Sequence, residues 1–159
     1  MEELLSVASN VAEALRERGE TVAVSESSAG GLIAASLLAQ PGASAYFVGG
    51  GVVYTKAAIV GLLGITPSDM TGIRPLTEPH AVLLADSVRQ RLGATWGLAE
   101  FGAAGPSATR YGNPPGSTFL GAVGPKELSR TIETGSDDRV RNMYSFAAAA
   151  LNLLNEALS

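Results

Sequence analysis

The sequence predicts an α/β domain, a three-layer α/β/α sandwich built on a mixed, mainly parallel sheet. Three observations point to it. Helix-like and strand-like segments alternate through the first half of the chain, the pattern of parallel strands joined by crossover helices. A turn at Gly124-Pro125-Lys126 joins two late strand-like runs and adds an antiparallel hairpin at one edge. The 159 residues suffice for one core and show neither repeat nor linker, so a single domain over 1–159 is expected.

The elements follow in order. Residues 2–18 carry Leu4, Leu5, Val7, Ala8, Val11, Ala12 and Leu15 on one helical stripe closed by Gly19. Thr21 to Ser25 is a short β-prone run without helical period, which reads as a buried strand. After Gly30-Gly31 comes an apolar helix from about Leu32 to Ala39, stopped by Pro41-Gly42. Tyr46 to Tyr54 is a strand whose three central glycines suggest a bulge or close backbone approach. A helix from Lys56 to Leu63 ends at Gly64, and residues 66–76 form a loop. Glu78-Pro79 opens a helix to Leu92 with Gly93 behind it. Trp96 to Phe101 is a strand and residues 102–116 a Gly/Pro-rich loop. Ser117 to Val123 and Leu128 to Glu133 form the hairpin. Ser136 then caps a last helix from Asp137 to Leu158, with acidic residues in its first turn.

Composition narrows the function. The net charge is −4 and no basic stripe exists, so a nucleic-acid partner is not expected. No apolar run reaches the roughly 18 residues of a membrane span. The chain has no cysteine, which excludes disulfides, thiolate metal sites and a cysteine nucleophile and fits a reducing, cytoplasmic compartment. No cluster has zinc-ligand types and spacing. Glu26 and Glu100 both lie near strand ends and could together meet a hard cation, but neither metal nor cofactor is expected.

In open α/β sheets ligands gather at the carboxyl ends of the strands, and three segments converge there. Ser25-Glu26-Ser27-Ser28-Ala29-Gly30-Gly31 ends the first strand and opens a helix, offering backbone N–H groups to an anion or simply capping the helix. Gly42-Ala43-Ser44 is followed by Tyr54 and Lys56, a serine with a phenol and an amine able to take its proton, or else a turn serine beside two surface residues. Gly102 to Gly105, running on to Arg110, is a glycine-rich loop with a bidentate phosphate donor, or with a plain surface arginine. His80, the sole histidine, reads as helix surface.

Together these motifs resemble the C-terminal domain family of the competence/damage-inducible protein CinA, which includes nicotinamide-nucleotide amidases. The resemblance rests on Ser25-Glu-Ser-Ser-Ala-Gly-Gly31, Pro41-Gly-Ala-Ser44, Gly51-Val-Val-Tyr-Thr55, Leu62-Leu-Gly-Ile65, Leu76-Thr-Glu-Pro79 and Gly102-Ala-Ala-Gly-Pro106, in family order and spacing. It implies metal-free hydrolysis of the carboxamide of nicotinamide mononucleotide, or of a related small amide, and self-association as a homo-oligomer. Its nucleophile maps onto Ser44 and its tyrosine onto Tyr54. Its lysine falls on Ile59, so Lys56, one turn earlier, is the expected substitute. Glu26, Ser27, Ser28, Gly30, Gly31, Glu100, Gly102, Gly105 and Arg110 are the expected substrate-binding set. Ala29, Glu100, Phe101 and Ser107-Ala-Thr109 also depart from the family pattern. Glu100 is therefore expected to face a pocket or to meet a cation. A protein that keeps the fold without the reaction is the alternative. The apolar run Ala147 to Leu154 is either a self-association surface or core.

Overall fold

Five strands and five helices form in the expected order in the computed structural model, which describes residues 2–159. Helix α1 (Glu2–Arg18) buries Leu4, Ala8, Val11, Ala12 and Leu15, the stripe that a 3.6-residue period places on one face. Its first turn is acidic and its last basic, matching the helix dipole. Strand β1 (Val22–Glu26) is buried on both faces. Helix α2 (Leu32–Leu38) leads through a tight turn at Ala43–Ala45 to β2 (Phe47–Val52), which is shorter than the Tyr46–Tyr54 run. The pairing of β1 with β2 skips one residue, from Val22↔Phe47 to Ala23↔Gly49, which is the irregularity the glycines announce.

Helix α3 (Lys56–Ala58) departs from expectation. It widens after one turn into a π-helical segment, Ile59–Leu63, ending at Gly64. Helix α4 (Glu78–Leu92) begins and ends where the capping residues put it, with the Thr77 hydroxyl accepting the His80 N–H and Gly93 in the left-handed region. Strand β3 runs Trp96–Ala103, two residues beyond the expected end, because it pairs with all of β4 (Ser117–Val123), and β5 is Glu127–Glu133. Helix α5 (Arg139–Leu158) is capped by Asp138, not Ser136: the Asp138 carboxylate accepts the Arg141 N–H at 3.0 Å, while the Ser136 hydroxyl accepts the Asp138 N–H. No acidic residue therefore lies in its first turn.

The sheet order is β2-β1-β3-β4-β5. Strands β2, β1 and β3 are parallel, β3–β4 and β4–β5 antiparallel, so β4 alone runs against the other four. Period-two alternation divides the core. Val22, Val24, Trp96, Leu98, Leu120 and Ala122 pack with α1, α2 and α5, whereas Ala23, Ala99 and Val123 pack with α3 and α4. Helices on both faces make the three layers. Helix α4 lies unusually close: a Cβ at Gly97 would stand 1.9 Å from the Ala85 carbonyl oxygen, and one at Gly121 2.7 Å from that of Ala81. The apolar surplus of α5 is mainly core, since Phe146, Ala147, Ala150, Leu151, Leu153 and Leu154 are fully buried.

Candidate active site

A cavity of about 700 Å³ opens where β1, β2 and β3 end, on the α3–α4 face. Strand alternation decides what points into it. Ala23 and Ala99 face α4; four residues on from Ala23, past Ser25, stands Ser27, and two on from Ala99 stands Phe101, both lining the cavity. The Ser27 N–H donates to Glu100 at 3.0 Å, while its hydroxyl has no partner among the described residues. Since no fully buried side-chain oxygen or nitrogen there is left without a partner, that hydroxyl opens to the cavity.

Glu26 and Glu100 occupy the opposite parity and point toward α2. They are register neighbours, 1% and 0% exposed. The Glu100 carboxylate accepts the N–H groups of Ser27 and Ala29, at 3.0 and 2.8 Å, and the hydroxyls of Ser28 and Thr118. It neither faces the cavity nor meets a cation; four donors carry the compensation. Glu26 accepts the N–H groups of Gly31, Ile33 and Ala34 and so caps α2. Burial pushes its carboxyl above the ordinary 4.5, opposed by those three donors, and the Glu100 charge adds to the rise. The N–H groups expected to hold a substrate anion are thus occupied by the protein's own carboxylates. Glu26, Ser28, Gly30, Gly31 and Glu100 build the junction beneath Ser27 and do not line the cavity. Among the described residues no cluster of three His, Cys, Asp or Glu side chains is placed to hold a metal.

Tyr54 and Lys56 follow β2 and line the cavity with Ile59. Thr55 starts their helix by accepting the Ala58 N–H. Ile59, where the resemblance leads one to expect a lysine, is a buried apolar wall residue, with Lys56 exposed one turn earlier. Ser44 is elsewhere. It sits exposed in the turn before β2, whereas Tyr54 lies past its far end, and six strand residues alone span about 20 Å. The expected Ser44–Tyr54–Lys56 set is therefore not assembled within the chain; Ser27 is the serine that shares the cavity with Tyr54 and Lys56.

Gly102 and Arg110 also line the cavity, and Arg110 donates to the Tyr111 hydroxyl at 2.7 Å. Gly105 does not; its carbonyl accepts from Arg139 at 2.6 Å, and the same guanidinium donates to the Tyr54 hydroxyl at 3.3 Å. Sequence reasoning passed over Arg139. A cation at the first position of a helix, where the dipole disfavours it, is the signal that an external partner holds it there. His80 was missed too: it is 2% exposed, lines the cavity and packs edge-on to Phe101. Ile65, Met70, Ile73, Pro75 and Leu76 complete an apolar wall. An open hydroxyl, a phenol, an amine and a guanidinium around an apolar hollow suit acyl transfer on a flat ligand with an anionic end.

A family model described as the CinA C-terminal domain matches residues 4–158. A CinA-like protein of Synechocystis sp. is 38% identical over 156 residues, which cover 96% of this chain and 38% of that protein. One from Myxococcus xanthus is 39% identical over 152 residues, covering 93% and 35%. The chain thus spans little more than a third of the curated relatives it matches. The structure of the competence/damage inducible protein CihA from Agrobacterium tumefaciens superimposes with a TM-score of 0.88 at 26% identity, covering 98% of this chain and 95% of that one. A CinA superfamily protein from Klebsiella pneumoniae gives 0.89 at 23% identity, covering 98% and 97%, a likeness of fold alone. The six motifs, the layered architecture and a family match over nearly the whole length agree: the chain belongs to the CinA C-terminal domain family.

Proposed function

We propose that the chain is an amidohydrolase for a small amide bearing an anionic group, with the Ser27 hydroxyl as nucleophile. The observation that carries this reading is the unpartnered Ser27 hydroxyl opening into the cavity that Tyr54 and Lys56 also line. The family resemblance suggests nicotinamide mononucleotide as substrate. Its flat pyridinium ring, a delocalised and weakly hydrated cation, fits along Ile65, Met70 and Ile73, and its phosphate suits Lys56 and Arg110.

In this reading the Ser27 oxygen bonds to the carboxamide carbon while its proton passes to the Tyr54–Lys56 pair. The carbonyl electrons move onto oxygen, and the Ser28 N–H, without a partner among the described residues, is a candidate donor to that oxyanion. Collapse breaks the C–N bond and ammonia leaves with the relayed proton. Water then cleaves the acyl–Ser27 ester and yields the acid. Arg139 holds the Tyr54 phenol by its hydroxyl.

One observation favours a second reading, a ligand-binding protein without turnover: the cavity wall holds the buried, apolar Ile59 at the position to which the resemblance assigns an amine. Ammonia release from nicotinamide mononucleotide separates the two. Ser27→Ala is expected to lower kcat by on the order of 10³ or more, the scale of losing a nucleophile, and Ser44→Ala to leave it unchanged. Binding with no turnover in the unaltered protein would establish the second reading.

A further inference from the structure

His80 is the only histidine of the chain and stands at the start of α4, with its backbone N–H held by the Thr77 hydroxyl. Its ring is nearly inaccessible, 4.9 Å from the Phe101 ring centroid at 67°. The Leu76 N–H donates to Nδ1 at 3.3 Å. An imidazole nitrogen that accepts carries no proton, so the neutral ring bears its one proton on Nε2. Burial pushes the imidazole below its ordinary 6.5, which keeps the ring neutral. Leu76 adopts φ +55, a left-handed conformation that a non-glycine residue holds at a cost.

No side chain or backbone group among the described residues partners Nε2. No fully sequestered polar side-chain atom lacks a partner there either, so Nε2–H reaches open space, and the open space beside His80 is the cavity. Its neighbours on that wall, Ile73, Pro75, Leu76 and Phe101, are apolar. We infer that His80 is a specificity-determining residue whose Nε2–H donates to an acceptor atom of the ligand that the cavity takes. The inference rests on the amidohydrolase reading only in the choice of probe. A lone donor in apolar surroundings is costly to leave unpaired, so it selects ligands with an acceptor there and rejects isosteres without one.

Isotope-labelled histidine reports on this residue alone. Imidazole nitrogen spectra of the unaltered protein should show the proton on Nε2 and contact between that proton and cavity water. Titration with nicotinamide mononucleotide should then shift the Nε2–H resonance. His80→Asn keeps an acceptor for Leu76 but does not reach the cavity, and should weaken binding of this probe about five- to tenfold, the scale of one lost hydrogen bond. His80→Gln extends an amide donor to the Nε2 position and should recover most of the loss. A proton on Nδ1, an Nε2–H sealed from water, or equal affinity for His80→Asn and the unaltered protein would overturn the inference. Probe binding with this contrast but without ammonia release would sink the hydrolase reading and leave the inference standing. Failure of the probe to bind at all would sink that substrate, with tautomer and water contact still deciding for or against His80.

Discussion

The His80 imidazole ties the cavity wall to proton concentration. Its pKa in the folded chain lies below the unfolded value of 6.5 because burial disfavours the charged ring. Between those two values the unfolded chain binds a proton that the folded chain does not, so stability rises with pH across the window and is complete above 6.5. Urea unfolding of the unaltered protein should therefore lose stability as pH falls below 6.5, and His80→Gln should lack that component of the slope; identical slopes in the two proteins would refute it. The burial of His80 was legible in the sequence: with Leu84 and Val88 it forms an i, i+4, i+8 row, and both those residues are core. Ser27 and Glu100 were legible only in part. Composition brought both to the strand ends, but which of them meets a ligand depends on alternation counted from Ala23 and Ala99, and so on knowing which face α4 covers. Ser44 is placed by the family resemblance, and its spacing from Tyr54 fits a turn serine equally well; the six-residue strand between the two sets them at opposite ends of β2.

At the scale of elements, the junction of β1 with α2 is where two buried carboxylates replace any bound anion. Helix α2 has seven residues, too few to be stable alone, and depends on Glu26 for three of its free N–H groups. Glu100 does the same for the turn that carries Ser27. Glu100→Leu removes the acceptor for two N–H groups and two hydroxyls at once. With each buried orphan donor costing about 1–3 kcal/mol, a loss of at least about 3 kcal/mol is expected in chemical denaturation. A loss under about 1 kcal/mol would mean that the junction repacks without it. Element positions were well read where capping residues decide them, as for α1 and α4. They were misread where a tertiary contact decides. Arg139 reaches the Gly105 carbonyl and the Tyr54 hydroxyl, and α5 begins at that residue rather than at Asp137. The widening of α3 after Ala58 has no marker in local propensity, yet it sets Ile59 in the wall with Val60 at its exposed rim and leaves Leu62 outside the cavity.

Across the whole molecule the sheet has two open edges of different character. Strand β5 exposes Glu127, Ser129, Thr131 and Glu133, and charged edges resist pairing with another chain. Strand β2 exposes Val48 and Val52 beside three glycines, and Leu62 and Leu92 stand against Gly51 and Gly49. With the Ala147–Leu154 run largely core, the homo-oligomer expected from the family resemblance has this edge as a candidate contact, since Val48, Val52, Leu62 and Leu92 are exposed together along it. Val48→Lys places an ammonium on that edge without touching the interior, since Val48 is 43% exposed. Sedimentation of the unaltered protein should report more than one chain per particle, and Val48→Lys should shift it to a single chain at unchanged Tm. Leu151→Ala gives the contrast. It empties a fully buried site and should cost about 2–5 kcal/mol, lowering Tm without favouring the single chain. Assembly that survives Val48→Lys would place the contact away from the β2 edge.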